Sequence, residues 1–155
     1  ISFIVGYPEY SELVTAMAAL AKEEISHFQL VHQKLLDRGL VLGRERKDQY
    51  VHDIMEFFPK NKHREAKLIH RLLTAALIEA RSCERFRVLS ENLADKELAK
   101  FYRDLMVSEA NHYTMFLKFA RQYGDIEEVN ALWQSLLEYE AEVISKYGKK
   151  EFIHG

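Results

Sequence analysis

Two segments of the sequence carry apolar side chains at helical spacing, and each stripe is interrupted at the same level by a glutamate and a histidine. The first stripe consists of Leu13, Met17, Leu20, Glu24, His27 and Val31. The second consists of Leu98, Tyr102, Leu105, Glu109, His112 and Phe116. Steps of three and four residues place each stripe on one face of an α-helix, the face that ordinarily packs into a core. The sequence therefore predicts two long helices whose inward faces each carry a carboxylate and an imidazole.

Helix-ending residues divide the rest of the chain. With only six Gly and two Pro, a few long helices are expected and many short strands are not. Gly39, Pro59 and Gly124 each follow a periodic segment, and Asp125 with Glu128 forms a capping box before the last one. The sequence predicts an all-α fold with the tail of a helix at 1–5, long helices at 8–38, 63–90 and 95–123, a short helix near 47–58, and a C-terminal helix at 126–147.

Composition narrows the class of protein. No linker or low-complexity tract separates the segments, so we expect a single helical domain over residues 1–155. The net charge of −2 leaves nucleic-acid contact to a local basic patch. Cys83 is the single cysteine, which excludes an internal disulfide framework. No apolar run reaches the roughly 18 residues of a membrane span, and no secretory signal leads the chain. A cytoplasmic location is predicted.

The Glu-x-x-His spacing alone is a weak signal, because about one match is expected by chance in a chain of this composition. Three matches occur, and Glu151/His154 in the terminal tail has no apolar stripe around it. The other two lie in matched register within their stripes. Glu79, on the stripe of the 63–90 segment, supplies a third inward acid. An unpaired buried carboxylate costs several kcal/mol, so these groups need a compensating partner.

Paired Glu-x-x-His helices with single glutamates from the other two helices are the di-metal carboxylate arrangement of ferritin-like bundles. In that arrangement Glu24 and Glu109 bridge two metal ions, His27 and His112 each bind one, and Glu79 is a terminal ligand. Carboxylates with one imidazole per metal suit iron or manganese. The alternative is a metal-free helical adaptor in which the buried Glu and His side chains satisfy one another.

The segments "EEISHF" (23–28), "LIEARSCERF" (77–86) and "YRDLMVSEANHY" (102–113) resemble the MiaE family of tRNA hydroxylases over nearly the whole chain. The resemblance implies a ferritin-like non-haem di-iron monooxygenase that hydroxylates the prenyl side chain of 2-methylthio-N6-isopentenyl adenosine, beside the anticodon. By position, the family's metal ligands correspond to Glu24, His27, Glu79, Glu109 and His112. Glu84 is the alternative to Glu79.

The resemblance also implies features beyond these ligands. The family has a further glutamate ligand upstream of the position of Ile1, so we expect the first bundle helix to be largely missing. No catalytic residue is expected beyond the metal ligands. O2 is the implied co-substrate, and two external electrons per turnover imply an electron-donor protein. Arg81, Glu84 and Asp104 are candidates for orienting the imidazoles, with surface ion pairs as the equal alternative.

A basic region around the connection after the first long helix is the candidate tRNA contact. Its members are Arg44, Arg46, Lys47, Lys60, Lys62, Arg64, Lys67 and Arg71. Such clusters bind phosphates without reading sequence, although a solvated helix start has the same composition. Tyr50, Phe57 and Phe58 are candidates for stacking on a base or, equally, for the core. Cys83 is interpreted as a small core residue.

A second enzyme class shares paired Glu-x-x-His helices, namely ferritin-like oxidases or peroxidases such as the erythrins, which act on iron or peroxide. The chain contains no Cys-x-x-Cys electron-transfer module, and "EARSCERF" is not typical of the erythrins. The sequence therefore favours the tRNA hydroxylase.

Overall fold

A computed structural model describes residues 1–44, 49–60 and 63–147. These residues form α-helices and contain no β-strand, which confirms the all-α prediction. The helices are α1 Ser2–Gly6, α2 Ser11–Leu36, α3 Gln49–Met55, α4 Arg64–Asn92, α5 Lys96–Tyr123 and α6 Ile126–Tyr147. The chain divides into two compact units, residues 1–46 and 47–155. The single-domain assignment stays a prediction, and the Glu151/His154 pair lies outside the described residues.

The first unit contains α1 and α2. Its second helix begins at Ser11 and not at Pro8, because the Tyr10 N–H bonds to the carbonyl of Tyr7 at 3.2 Å and closes a turn around the proline. The helix ends at Leu36, two residues before the predicted Arg38, and Gly39 follows in the turn after it. Gly39 has a φ of 67°, and its N–H bonds to the Leu36 carbonyl at 2.9 Å. This left-handed conformation after the helix favours glycine.

Only the first turns of α2 have a buried stripe. Leu13 is 0% and Met17 is 3% exposed, whereas Val31 is 41% exposed and the side chain of Glu24 is 46% exposed. The expectation that the second half of the α2 stripe faces a core stays a prediction, because the described residues of the first unit by themselves offer no helix that covers it. Within this unit α2 packs on α1, and a helix of 5 residues is too short to cover one of 26.

The second unit is organised around α4 and α5. These two long helices pack against each other and are joined by residues 93–95, which makes them an antiparallel hairpin. Asp95 caps α5, since its Oδ1 accepts hydrogen bonds from the N–H groups of Glu97 and Leu98 at 3.0 Å. The two helices contribute a buried apolar core that includes Leu68, Leu72, Leu73, Ala76, Leu105, Phe116 and Ala120. Each fully buried leucine contributes about 1.5–3 kcal/mol.

Helices α3 and α6 pack on one another and meet α4 through a buried polar network. Glu140 of α6 is 3% exposed, and its Oε2 accepts a hydrogen bond from Arg81 Nη2 at 2.7 Å. Its Oε1 accepts a second bond from Arg81 Nε and a third, at 2.8 Å, from the hydroxyl of Tyr50. The Glu140 hydrogen bonds raise the pKa of Arg81, and burial together with Glu140 raises the pKa of Tyr50. The network links three helices.

Candidate metal centre

Helices α4 and α5 bring three metal-binding side chains together. Glu109 is 7% and His112 is 4% exposed, and both lie on the buried face of α5. Glu79 of α4 is half-buried, with its Oε2 at 3.9 Å from Nδ1 of His112. One donor atom from each of the three residues lies within 4.8 Å of the other two. The structure therefore gathers Glu79, Glu109 and His112 into one cluster, which we call the α4–α5 cluster.

The geometry of the α4–α5 cluster follows from helix periodicity. Residues three apart lie on one face of an α-helix, so Glu109 and His112 project in the same direction from α5. Two carboxylates and an imidazole in a mostly buried place form a donor set that suits iron or manganese. A buried and a half-buried acid side by side repel one another, and a divalent cation between them removes that repulsion. The residues present thus fit a metal ion.

The other Glu-x-x-His pair forms a local group on α2. His27 Nδ1 lies 3.5 Å from Glu24 Oε1, and His27 Nε2 lies 3.8 Å from Glu23 Oε1. The His27 side chain is 17% exposed, and both glutamates are far more exposed. Glu23 was not singled out from the sequence, although its position four residues before His27 makes it a neighbour on the helix. The assignment of Glu24 and His27 as metal ligands stays a prediction.

The two candidate glutamates of α4 have different surroundings. Glu79 belongs to the α4–α5 cluster, whereas the Glu84 side chain is 52% exposed and accepts a bond from Arg81 Nη1 at 2.6 Å. Two residues five apart point to different sides of a helix, so only one of them can face α5 at this level. The placement favours Glu79 as the ligand and puts Glu84 in an ion pair.

The candidates for orienting the imidazoles engage other partners. Arg81 bonds to Glu140 and Glu84, and neither of these belongs to the α4–α5 cluster. The carboxylate of Asp104 is 63% exposed and pairs with Lys100 at 2.6 Å. For these residues the structure shows ion pairs, the alternative left open by the sequence. Glu140 was missed, although it interrupts the apolar stripe of α6 between Leu136 and Val143 just as the cluster acids interrupt theirs.

Cys83 lies one helical turn after Glu79 and is half-buried. Burial raises the pKa of its thiol, and the negative charge of Glu109 raises it further. A thiol whose pKa is raised stays protonated at neutral pH and is a poor nucleophile. The side chain therefore lies beside the cluster as a small neutral group, in keeping with its interpretation as a core residue.

The structure describes five of the eight basic residues proposed to contact tRNA. Lys60, Arg64 and Lys67 are exposed around the start of α4, Arg71 is half-buried, and Arg44 is exposed in the first unit. Arg46, Lys47 and Lys62 lie outside the described residues.

The three aromatic candidates for base stacking belong to packed regions of the second unit. Tyr50 is 1% exposed, and Phe58 is 9% exposed and stacked on His70 with ring centroids 4.3 Å apart. Phe57 contacts the rings of Phe58 and Tyr139. This packing agrees with the alternative that the three rings belong to the core.

The sequence is similar to those of known tRNA hydroxylases. Residues 1–155 match the family model of tRNA-(MS[2]IO[6]A)-hydroxylase (MiaE). The chain is 35% identical over 154 residues to the tRNA 2-(methylsulfanyl)-N(6)-isopentenyladenosine(37) hydroxylase of Pseudomonas putida, covering 99% of this chain and 74% of that protein. It is 35% identical over 133 residues to the enzyme of the same name from Salmonella typhimurium, covering 86% of this chain and 48% of that protein.

A solved structure supports the same fold. Protein 43 with aldehyde deformylating oxygenase activity from Synechococcus aligns with a TM-score of 0.84 and 29% identity, covering 91% of this chain and 69% of that one. The fold is ferritin-like, as predicted. Among the described residues, no helix has both the length and the apolar character that crossing a membrane requires. The match over the whole length and the two relatives show that the chain belongs to the MiaE family of tRNA hydroxylases.

Proposed function

We propose that this protein hydroxylates the isopentenyl side chain of 2-methylthio-N6-isopentenyl adenosine next to the tRNA anticodon, using O2 and a di-iron centre in the cytoplasm. The observation that carries the proposal is the α4–α5 cluster, because it places two acids and an imidazole within 4.8 Å in a chain of this family. Di-iron bundles use such a donor set, and burying two acids close together without a cation is costly.

Glu79, Glu109 and His112 are the ligands that the second unit contributes, and the sequence pattern assigns Glu24 and His27 as the remaining ones. A bound pair of iron ions would supply the O2 activation that hydroxylation of an unactivated carbon requires. The protein supplies the position of the donor atoms and shields them from water, since Glu109 and His112 are nearly inaccessible. Two electrons per turnover come from a separate donor protein.

The basic residues around the start of α4 would hold the phosphates of the anticodon stem-loop. Lys60, Arg64 and Lys67 are exposed there, in the same unit as the α4–α5 cluster. Contacts of this kind orient the nucleic acid and do not read its sequence. The recognition of the modified base has to come from a different part of the protein, close to the metal ligands.

The erythrin-like oxidase or peroxidase remains the alternative enzyme class, and the substrate separates the two. The Synechococcus neighbour has aldehyde deformylating oxygenase activity, so proteins of similar fold differ in chemistry. No contact in the described residues favours iron storage or peroxide as the substrate. The family match favours tRNA.

The proposal is tested with the full-length enzyme and a matched pair of variants on α4. Glu79→Gln removes a carboxylate of the cluster, and Glu84→Gln removes one from an exposed ion pair five residues away. We expect near-stoichiometric iron in the wild type and in Glu84→Gln, and strongly reduced iron in Glu79→Gln. Circular dichroism should show equal helical content in all three.

Activity is read by mass spectrometry of tRNA nucleosides from cells that carry each gene variant. The hydroxylated prenyl adenosine should be present with the wild type and Glu84→Gln and absent with Glu79→Gln. Wild-type protein that holds no iron, or a gene deletion that leaves the hydroxylated nucleoside unchanged, would refute the proposal. Full iron occupancy in Glu79→Gln would remove that residue from the ligand set.

A further inference from the structure

A stacked aromatic pair lies on the α4–α5 hairpin and has no role in the function described so far. Phe86 of α4 and Tyr102 of α5 have ring centroids 5.6 Å apart and an angle of 30° between their planes. Both side chains are half-buried, so part of each ring is accessible, and Tyr102 also contacts the ring of Phe101 edge-on. Two flat accessible rings at one place are a surface on which another flat ring can stack.

The register of the hairpin relates this pair to the α4–α5 cluster. Phe86 follows Glu79 by seven residues, and Tyr102 precedes Glu109 by seven. Seven residues are almost two helical turns, so each aromatic ring lies within about 20° of the face of its acid and about 10 Å along the axis. Because α4 and α5 are antiparallel, both displacements run in the same direction. The aromatic pair therefore lies on the same face of the hairpin as the cluster, about 10 Å towards residues 93–95.

The residues between the two groups are small or apolar. Cys83 lies one turn from Glu79, and Leu105 lies one turn from Glu109, so both sit between the aromatic pair and the acids. Leu105 is buried, and Cys83 is a small, half-buried side chain. These two side chains give a short apolar chain a small and an apolar neighbour between the aromatic pair and the carboxylates.

The dimensions match those of a prenylated adenine. The distance from the centre of the base to the end of a five-carbon chain on its exocyclic nitrogen is about 8 Å, at about 1.5 Å per covalent bond. A base that stacks on the aromatic pair therefore brings the end of its prenyl chain close to Glu79 and Glu109. A loop base that undergoes chemistry has to leave its stack, and aromatic side chains commonly receive it.

We propose that Phe86 and Tyr102 form the stacking platform for the modified adenine and that Cys83 and Leu105 line the path of its prenyl chain to the cluster. This inference rests on the proposed function, since it assigns the base-binding part of the same site. The two aromatic residues position the substrate and do not take part in the chemistry.

The test measures binding of an RNA stem-loop to the full-length, iron-loaded enzyme. The probe is a fluorescently labelled anticodon stem-loop that carries 2-methylthio-N6-isopentenyl adenosine, and anisotropy gives its Kd. Loss of a base-stacking ring is expected to raise the Kd about 10-fold in Phe86→Leu and in Tyr102→Leu. Tyr102→Phe keeps the ring and should bind like the wild type.

The matched control is a second stacked pair on α5. Phe119 and Tyr123 have ring centroids 5.8 Å apart and an angle of 9° between their planes, near the opposite end of the helix. Tyr123→Leu should leave the Kd unchanged. Circular dichroism and iron analysis of every variant show whether a weaker Kd comes from a folding or metal defect. In Tyr102→Trp, the added indole should be quenched when the modified loop binds, which reports stacking without removing a ring.

Each outcome distinguishes the inference from the proposed function. If the wild type binds the modified loop no better than a loop with unmodified adenosine, the substrate assignment fails and the stacking inference fails with it. If the wild type prefers the modified loop and both leucine variants retain that Kd with native helix and iron content, only the stacking inference is overturned. A similar loss in Tyr123→Leu, or an unquenched Tyr102→Trp, also overturns it.

Discussion

Replacing Arg81 with methionine should destabilise the second unit through the acid that it leaves behind. Arg81 reaches Glu140 with two nitrogens, and the Glu140 side chain is 4% exposed. Methionine fills most of the volume of the arginine stem, so the main cost is an uncompensated carboxylate rather than a cavity. Removing one partner of a buried ion pair costs about 3–5 kcal/mol. Because the Arg81 side chain is 28% exposed and Tyr50 still donates to Glu140, we expect a value near the lower end, about 3 kcal/mol.

Two control variants make the reasoning specific. Glu84→Gln removes the exposed partner of Arg81 and should cost at most about 1 kcal/mol, as surface ion pairs do. Arg81→Met combined with Glu140→Leu removes both buried charges and should recover much of the lost stability. Urea unfolding followed by circular dichroism gives the free energies. The reasoning is refuted if Arg81→Met alone is as stable as the wild type, or if the double variant is less stable than Arg81→Met.

Three further predictions concern other parts of the chain. Gly124→Ala would place a methyl group 2.7 Å from a side-chain carbon of α6, so the free energy of unfolding should fall by about 1–3 kcal/mol. A methyl group at Gly43 would meet no atom within 4 Å, so Gly43→Ala should leave the stability unchanged. The pKa of Tyr50 is raised in the folded protein, so the unfolded chain loses this proton first as pH rises above the ordinary value of 10.0. The free energy of unfolding should therefore fall above that pH by up to about 1.4 kcal/mol per pH unit. Tyr50→Phe should reduce this slope in urea titrations at several pH values. Replacing Arg64 and Lys67 with alanine should weaken binding of the RNA stem-loop. The slope of log Kd against log salt concentration should fall by about 0.7–0.9 for each phosphate that is no longer neutralised. An unchanged slope would show that the phosphates bind elsewhere.

Helix ends could be predicted from the sequence because they depend on local chemistry. Gly39 adopts the positive φ that its position after a helix suggested, and Asp125 caps α6 by accepting bonds from the N–H groups of Glu127 and Glu128 at 3.0 Å. Pro8 did not mark the start of α2, since a turn at that point is compatible with the same residue. Local rules of this kind need no knowledge of the neighbouring helices.

The grouping of Glu79, Glu109 and His112 could also be predicted, because stripe periodicity places them on the inward faces of two adjacent helices. Their role as metal ligands stays a prediction. What the sequence could not predict depends on partners distant along the chain. Glu140 breaks an apolar stripe in the same way as Glu109, yet Glu140 pairs with an arginine, whereas Glu109 is grouped with a second acid and an imidazole. A buried glutamate in a stripe therefore indicates that compensation exists without indicating which kind.

The short connection at residues 93–95 also has a consequence for the order of folding. Contacts between helices that are adjacent in sequence close small loops, and such contacts form early and fast. The donor atoms of Glu79, Glu109 and His112 all come from the two arms of this one hairpin. The three side chains of the α4–α5 cluster can therefore be assembled by a single local folding event, before the more distant pairing of α3 with α6.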